Sequence, residues 1–344
     1  MKGIAICAML IHHMYGCPPA WVEPYTGVQH WFGVLGKVCV ALFLFCSGYG
    51  LSRQYASLPQ SDKIAIRLLD NIRFVAKRLV KFYINYWVIF VIFVPITVFV
   101  FHRPLSVAYG EHVNIIKHLA YDILGLQGHH AYNITWWFNT LIIMLYALFP
   151  IIYDVAKKLP ILSVLGSMFL LCYAYDMPFD PEDILIWQFP FLIGVLYVQN
   201  EDGFHKVFEW LASRQWLIMV VAILLLVPSV YLRMYPISMH WTDVRMDGFI
   251  TLAIALIVIS ILRNFKFVMT IFTFLGKHSI NIYLIHTFLN DFWHLTWLHS
   301  REWLRGGANF AILLGICLIV SIMLEFLKDK IGIYKLLQII TNRI

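Results

Sequence analysis

The residues of this sequence that could do chemistry are polar groups set inside long apolar runs, where a charge costs roughly 2.5 to 3.5 kcal/mol or more and is rarely kept without a task. Lys2 and His13 come first. Eleven residues at 100° each bring them back to nearly the same azimuth, about 16 Å apart along a helix axis. Such a helix sets a cation at one mouth of a cavity and an imidazole near mid-membrane on the same wall, with His12 turned about 100° away. The competing role for a membrane histidine is a hydrogen bond to a neighbouring helix. Tyr283 and His286 lie three apart on one face, with Asn281 nearby, and could line the same cavity or bond between helices. Lys37 sits within an apolar run; it snorkels outward, pairs with an acid such as Glu23, or lines a path for substrate. Arg73, Lys77, Arg78 and Lys81 form a basic cluster beside a helix start, a place suited to phosphate contact and equally to fixing topology. No metal site is expected, because His12 and His13 diverge and His129 and His130 have no Cys or carboxylate at ligand spacing.

The elements that must position these residues are membrane helices. Hydrophobic residues make up 61% of the 344 and charged residues 13%, with a mean hydropathy of +0.75. A soluble domain carries roughly twice that charge. An aqueous fold of this length would need a polar shell that the remaining residues cannot supply, whereas lipid imposes no such demand. A window of about 19 residues finds apolar spans at roughly 3–16, 29–51, 79–102, 136–155, 160–178, 183–199, 215–232, 247–263, 271–290 and 308–327. The expected fold is therefore all-α: a polytopic bundle of about ten transmembrane helices, forming one domain over residues 1–344 with no separate soluble domain. Residues 104–134 are too polar to cross and are read as a loop with a short amphipathic helix at the interface. The six cysteines mostly lie in apolar runs and act as small hydrophobes.

Orientation follows from Lys and Arg, which are retained on the cytoplasmic side. One set of loops holds Arg53, Lys63, Arg67, Arg73, Lys77, Arg78, Lys81, Lys157, Lys158, Lys206, Arg214, Arg263, Lys266, Lys328, Lys330, Lys335 and Arg343. The other is poorer in them and carries acids at Asp176, Asp180, Glu182 and Asp183. Both termini are expected in the cytoplasm of a bacterial inner membrane. The net charge of +7 follows from this rule and calls for no nucleic-acid partner. The first segment is short and begins at Met1, so either the first helix is longer than the sequence given or it ends early at the cytoplasmic face.

Several motifs carry a resemblance. Lys2-Gly3-Ile4-Ala5 followed by His13 resembles the first helix of the acyltransferase-3 family of membrane acyltransferases, whose signature is a basic residue, ten intervening residues and a histidine. Phe43-Leu44-Phe45-Cys46-Ser47-Gly48-Tyr49 is similar to the family's Phe-rich Ser-Gly-aromatic motif. Lys77-Arg78-Leu79-Val80-Lys81 through Asn85-Tyr86-Trp87 is similar to its paired-basic motif, departing with Lys81 for an arginine and Ile84 for a proline. Trp136-Trp137-Phe138 with Tyr146 and Phe149-Pro150, then Phe191-Leu192-Ile193-Gly194, match weaker patterns. Gly276-Lys277-His278-Ser279 through Ile282-Tyr283-Leu284-Ile285-His286 resembles a late family helix. The order of these motifs spans nearly the whole chain.

The resemblance implies transfer of an acyl group, usually acetyl, from cytoplasmic acyl-CoA to a hydroxyl of a cell-envelope glycan or lipid-linked sugar. No bound cofactor is implied, and acyl-CoA is a co-substrate. On this reading His13 is the catalytic residue, as general base or as a brief acyl carrier. Lys2, Arg73, Lys77, Arg78 and Lys81 contact the donor, and Ser47, Tyr283 and His286 are candidates for the catalytic cavity. Ser47 in a Ser-Gly pair more often permits close helix packing. Trp136, Trp137, Trp293 and Trp297 are read as interfacial anchors in preference to a sugar platform. A transporter or flippase of an envelope precursor is the competing class, although no inverted repeat stands out.

Overall fold

In hydrocarbon only a helix satisfies the backbone within a single segment, and the apolar runs of this chain fold accordingly. The computed structural model describes residues 1–344 except 19–23, 60, 127–130, 173–181, 204–214, 236–242 and 295–302. Among the described residues there is no strand. The helices are α1 (Lys2–Ile11), α2 (Gly27–Gly36), α3 (Cys39–Ala56), α4 (Ile64–Phe99), α5 (Leu105–Tyr109), α6 (Ile115–Ile123), α7 (Trp137–Lys158), α8 (Pro160–Cys172), α9 (Glu182–Gln199), α10 (Gln215–Met234), α11 (Asp247–Ser260), α12 (Lys266–Lys277), α13 (Ser279–Thr287), α14 (Trp303–Lys330) and α15 (Ile333–Arg343). Turns of π-helix follow α1 at His12–Gly16 and α13 at Phe288–Phe292.

Among the described residues, five helical stretches are long and apolar enough to cross a membrane: Gly27–Ala56, Ile64–Phe99, Ile134–Lys158, Trp216–Met234 and Gly306–Lys330. The bent pair α12 and α13 makes a sixth if it counts as one span. Pro160–Cys172 and Ile184–Gln199 are shorter apolar helices.

Three details depart from the simple spans. The second is broken at Lys37 and Val38, between α2 and α3. The third begins well before residue 79, since α4 runs unbroken for 36 residues, about 54 Å, far beyond the hydrocarbon core. The ninth bends by 63° at His278, whose φ of −89° and ψ of 0° interrupt the helix. The polar stretch 104–134 contains the short helices α5 and α6.

The chain forms two compact units. The first comprises Met1–His12, Val34–Ser61 and Ala147–Gly276. Its centre is the long contact of α3 with α9, made possible by missing side chains. A methyl group at Gly48 would overlap the carbonyl oxygen of Phe191, and one at Gly194 would overlap that of Phe45. Tyr55 packs edge-on against Phe149 at 5.5 Å and Tyr153 at 4.8 Å on the same side. Ala5, Val38, Leu42 and Ile250 form a further buried cluster.

The second unit comprises His13–Gly33, Asp62–Tyr146 and Lys277–Ile344. Here α13 packs on α4 and α14, and α15 lies along α4. The outer end is aromatic. Trp293 stacks between Phe93 at 5.2 Å and Phe101 at 4.7 Å and donates to Thr97 Oγ1. Both faces of that indole are therefore occupied, and it offers no platform to a sugar. Trp136 is buried among Tyr86, Phe90 and Phe288. Trp297, His129, His130 and Glu23 lie outside the described residues.

The two helix-packing environments on α3 separate cleanly. Gly48→Val should lower stability by about 1–3 kcal/mol, the range for overpacking, because the obstacle is backbone. Gly50, whose Cβ would enter open space, should accept Leu with an unchanged midpoint of unfolding. Thermal unfolding of both variants in detergent checks the contrast, and equal midpoints would mean that α3 and α9 do not need the close approach.

Candidate active site

In the second unit the structure brings three sequence-selected residues together. His13 is half-buried in the π-turn that follows α1. A π-turn widens the winding beyond 3.6 residues, so the 100° count applied from Lys2 holds only through Ile11. The turn is held by its neighbours. Tyr15 donates to the carbonyl of Gly306, and α2 crosses so closely that a methyl at Gly33 would overlap the backbone of Tyr15 and Gly16.

The His13 ring lies 4.8 Å from that of His286, centroid to centroid, tilted by 54°. His286 is fully buried, and its Nδ1 is 2.8 Å from the carbonyl oxygen of Tyr283. A carbonyl only accepts, so the bond assigns the proton of neutral His286 to Nδ1 and leaves a lone pair on Nε2. Tyr283 in turn reaches the carbonyl of Thr135 at 2.9 Å and Asn139 Oδ1 at 3.2 Å. Asn133, a few residues earlier, donates to Thr287 Oγ1 at 2.6 Å. The late helix α13 is thereby fastened to the start of α7 on both sides of His286.

The N-terminal end of α13 rests on a buried cation that sequence reasoning placed in a cytoplasmic loop. Lys328 is fully buried, with Nζ at 2.8 Å from Asn85 Oδ1, 2.8 Å from Asn281 Oδ1 and 3.1 Å from Glu325 Oε1. Three acceptors meet three N–H donors. Asn281 also donates to Glu325 at 2.7 Å, and Tyr334 of α15 donates to the other oxygen of that carboxylate. The signal available in the sequence was Glu325 and Lys328 at i and i+3 within reach of an apolar run.

The basic cluster lies on α4 of the same unit. Arg73, Lys77 and Lys81 follow one another at four-residue spacing, a single stripe. Arg73 is exposed and 3.7 Å from Asp70, and Lys81 is exposed. Arg78 is half-buried, and its Nε is buried with no hydrogen-bond partner among the described residues.

In the first unit, Lys2 lines a cavity of about 480 Å³ with Met1, Phe45, Cys46, Tyr49, Gly50, Tyr197 and Ala255. The motif around Ser47 therefore divides. Cys46, Tyr49 and Gly50 face the cavity and Gly48 serves the α9 contact, while Ser47 is in neither group. Lys37 sits half-buried at the break before α3, within electrostatic range of Asp247, which is fully buried and 3.1 Å from Arg233 Nε. Asp247 is an acid that sequence reasoning had not considered for Lys37. Among the described residues no cluster of His, Cys, Asp and Glu could hold a metal ion.

Asp122, in the polar stretch before α7, secures the roof of the second unit. It is 3% exposed, its Oδ2 accepts from Tyr109 hydroxyl at 2.8 Å and from Tyr132 N–H at 2.7 Å, and its backbone carbonyl accepts from Tyr86. Burial pushes its carboxyl up to about 6, against the opposing pull of those two bonds.

Residues 1–326 match a family model described as an acyltransferase domain. No curated protein matches the chain, and no solved structure matches it.

The raised carboxyl of Asp122 makes stability depend on pH with a definite sign. A group whose folded pKa lies above its unfolded value contributes most below the unfolded value, near 3.8, and that contribution is lost as pH rises through about 6. The loss amounts to about 3 kcal/mol at 1.36 kcal/mol per unit. Asp122→Asn keeps an acceptor for Tyr109 and Tyr132 and should flatten the fall in unfolding midpoint between pH 4 and pH 7. A variant with the same pH slope as the parent would clear Asp122 of responsibility.

Proposed function

This chain belongs to the acyltransferase-3 family of membrane acyltransferases, and from that premise we propose that it moves an acyl group from cytoplasmic acyl-CoA to a hydroxyl of a cell-envelope glycan or lipid-linked sugar. Acetyl is the simplest such group. The observation that carries the reading is the contact of His13 with His286, whose ring is locked by Tyr283.

A sugar hydroxyl attacks a thioester only as its proton departs, and a neutral imidazole at membrane depth is the base available. His13 takes the hydroxyl proton while the C–O bond forms. As the C–S bond breaks, the same imidazolium returns the proton to sulfur, and CoA leaves as a free thiol. His286, held through Nδ1, keeps the His13 ring from turning away.

The donor is a long molecule with a phosphate-rich end and a slender arm. The α4 stripe of Arg73, Lys77 and Lys81, with Arg78 beside it, suits the phosphates. Within the first unit, the cavity beside Lys2 has a volume in the usual range for small-molecule sites and a mostly apolar wall with two tyrosines. The surrounding architecture would be about ten passes of a bacterial inner membrane in one domain, with both termini in the cytoplasm, as the Lys and Arg asymmetry demands.

Orientation is checked by reporter fusions after Arg343 and near Lys157, both expected to be active only in the cytoplasm. Periplasmic activity at both positions would invert the topology and place the basic stripe away from the donor.

Chemistry is checked by acyl transfer in nanodiscs, followed as release of CoA thiol in the presence of envelope glycan and normalised to folded protein. His13→Ala should reduce turnover by about 100-fold or more, the scale for losing a general base. His12→Ala should retain most activity, and thermal stability should change little in either. Full turnover by folded His13→Ala would remove this residue from the chemistry.

A further inference from the structure

Asn139, in the first turn of α7, is fully buried and only half satisfied. Its Oδ1 is 3.2 Å from the Tyr283 hydroxyl, while its Nδ2 has no hydrogen-bond partner among the described residues. With Oδ1 accepting from the Tyr283 hydroxyl, the end left unpaired is the N–H donor. A buried amide left unmade costs about 1–3 kcal/mol, so its retention wants a reason. Its surroundings supply one. Tyr283 is the residue whose carbonyl holds His286, and His286 packs on His13.

The single proton of the Tyr283 hydroxyl is shared between the Thr135 carbonyl at 2.9 Å and Asn139 Oδ1 at 3.2 Å. The hydroxyl holds one end of the Asn139 carboxamide in place, and the buried N–H at the other end has no hydrogen-bond partner among the described residues. Gly125 lies beside the Asn139 Cβ, where a methyl group on the glycine would come within 3.6 Å.

We propose that Asn139 is the oxyanion donor of the acyl transfer, its amide N–H hydrogen-bonding the thioester carbonyl oxygen as charge develops there. The assignment rests on the acyl-transfer reading above. In the step concerned, the acceptor oxygen bonds to the carbonyl carbon and its proton passes to His13. The π pair of the carbonyl moves onto oxygen, which accepts from Asn139. Collapse restores the C=O bond, breaks the C–S bond, and sulfur takes the proton back from His13. A fixed neutral donor in a water-poor site stabilises such an oxygen far more than it would in water.

The test measures kcat, donor KM and unfolding midpoint for Asn139→Asp, Asn139→Ser and, in parallel, His13→Ala. Asn139→Asp keeps the shape and an acceptor for Tyr283 but has no N–H; Asn139→Ser brings no charge and withdraws the donor, so that one variant remains if the buried carboxylate prevents folding. The expected result is a fall in kcat of about 100- to 1000-fold, the scale for one oxyanion donor, with donor KM within about threefold. A folded Asn139→Ser with parental kcat, a raised KM at unchanged kcat, or activity lost only in proportion to folded protein would each overturn the assignment. His13→Ala separates the two claims. If it is inactive while Asn139→Ser is fully active, the oxyanion role fails and acyl transfer through His13 stands. If both retain parental turnover, the acyl-transfer reading of this site fails with it.

Discussion

Hydrocarbon offers no partner to a backbone amide or carbonyl, and every irregularity of this fold is subject to that constraint. A regular helix satisfies it automatically but presents side chains only in fixed directions. The two histidines of the candidate site are placed where the winding changes. His13 lies within one π-turn, and His286 immediately precedes another that begins at Phe288. Such turns are tolerated at membrane depth when protein surrounds them, and both are enclosed. The first is gripped by Tyr15 on Gly306 and by the approach of Gly33; the second is packed by Phe93, Tyr132 and Trp136 around Phe288. The cost of an irregular turn is thus met locally, by close backbone contact and aromatic packing.

The same constraint sorts the polar side chains into two kinds. Two cations of the second unit are held by neighbouring groups. Lys328 has three oxygen acceptors, and Arg103 lies over the ring of Phe292 at 3.7 Å and that of Tyr132 at 4.9 Å. In the first unit Arg233 and Asp247 neutralise each other. These groups tie helices together. Asn139, by contrast, is neutral, fully buried and satisfied at one end only. Removing one partner from a saturated charge is expensive and would damage the fold, whereas a half-satisfied neutral group is free to answer a substrate.

Composition and apolar run length made the helical membrane architecture legible, because no other structure can bury so much apolar sequence with so little charge. The close packing at Ser47-Gly48 was legible too, as a small-residue pair in a span, and Gly48 proves to be the member that meets α9. A shared cavity for His13 and His286 was among the readings the sequence offered, but their direct ring contact was not legible. The two residues are far apart in sequence, and neither the π-turns nor the 63° bend at His278 leaves a trace in hydropathy. Lys328 was read as a loop charge because an apolar run ending in Glu-Phe-Leu-Lys looks like a membrane boundary. Its burial depends on Asn85 and Asn281, contributed by two other helices. Asn139 lay in plain view within a span, but an asparagine there is as often a helix-to-helix bond. Only the geometry of Tyr283 shows that one end is spoken for.

Neutral groups at the reacting centre also follow from electrostatics. The base has to be an uncharged imidazole before attack, and a permanent cation nearby would favour that state while opposing the imidazolium that forms as the proton is taken. An unpaired Lys or Arg facing the developing oxyanion would hold that carbonyl strongly, but at several kcal/mol of desolvation while no substrate is bound. An amide dipole avoids both difficulties, since it is inexpensive to bury when one end is bonded and it does not add net charge beside His13. In the proposed reaction charge appears only transiently, as an imidazolium and an oxyanion formed together and discharged together. Sequestering Lys328 among Asn85, Asn281 and Glu325 serves the same end, because it holds α4 and α13 in register with a cation whose field is already cancelled. The saturated network and the half-satisfied amide are two answers to one requirement of the proposed reaction: that no uncompensated charge face the histidines before substrate arrives.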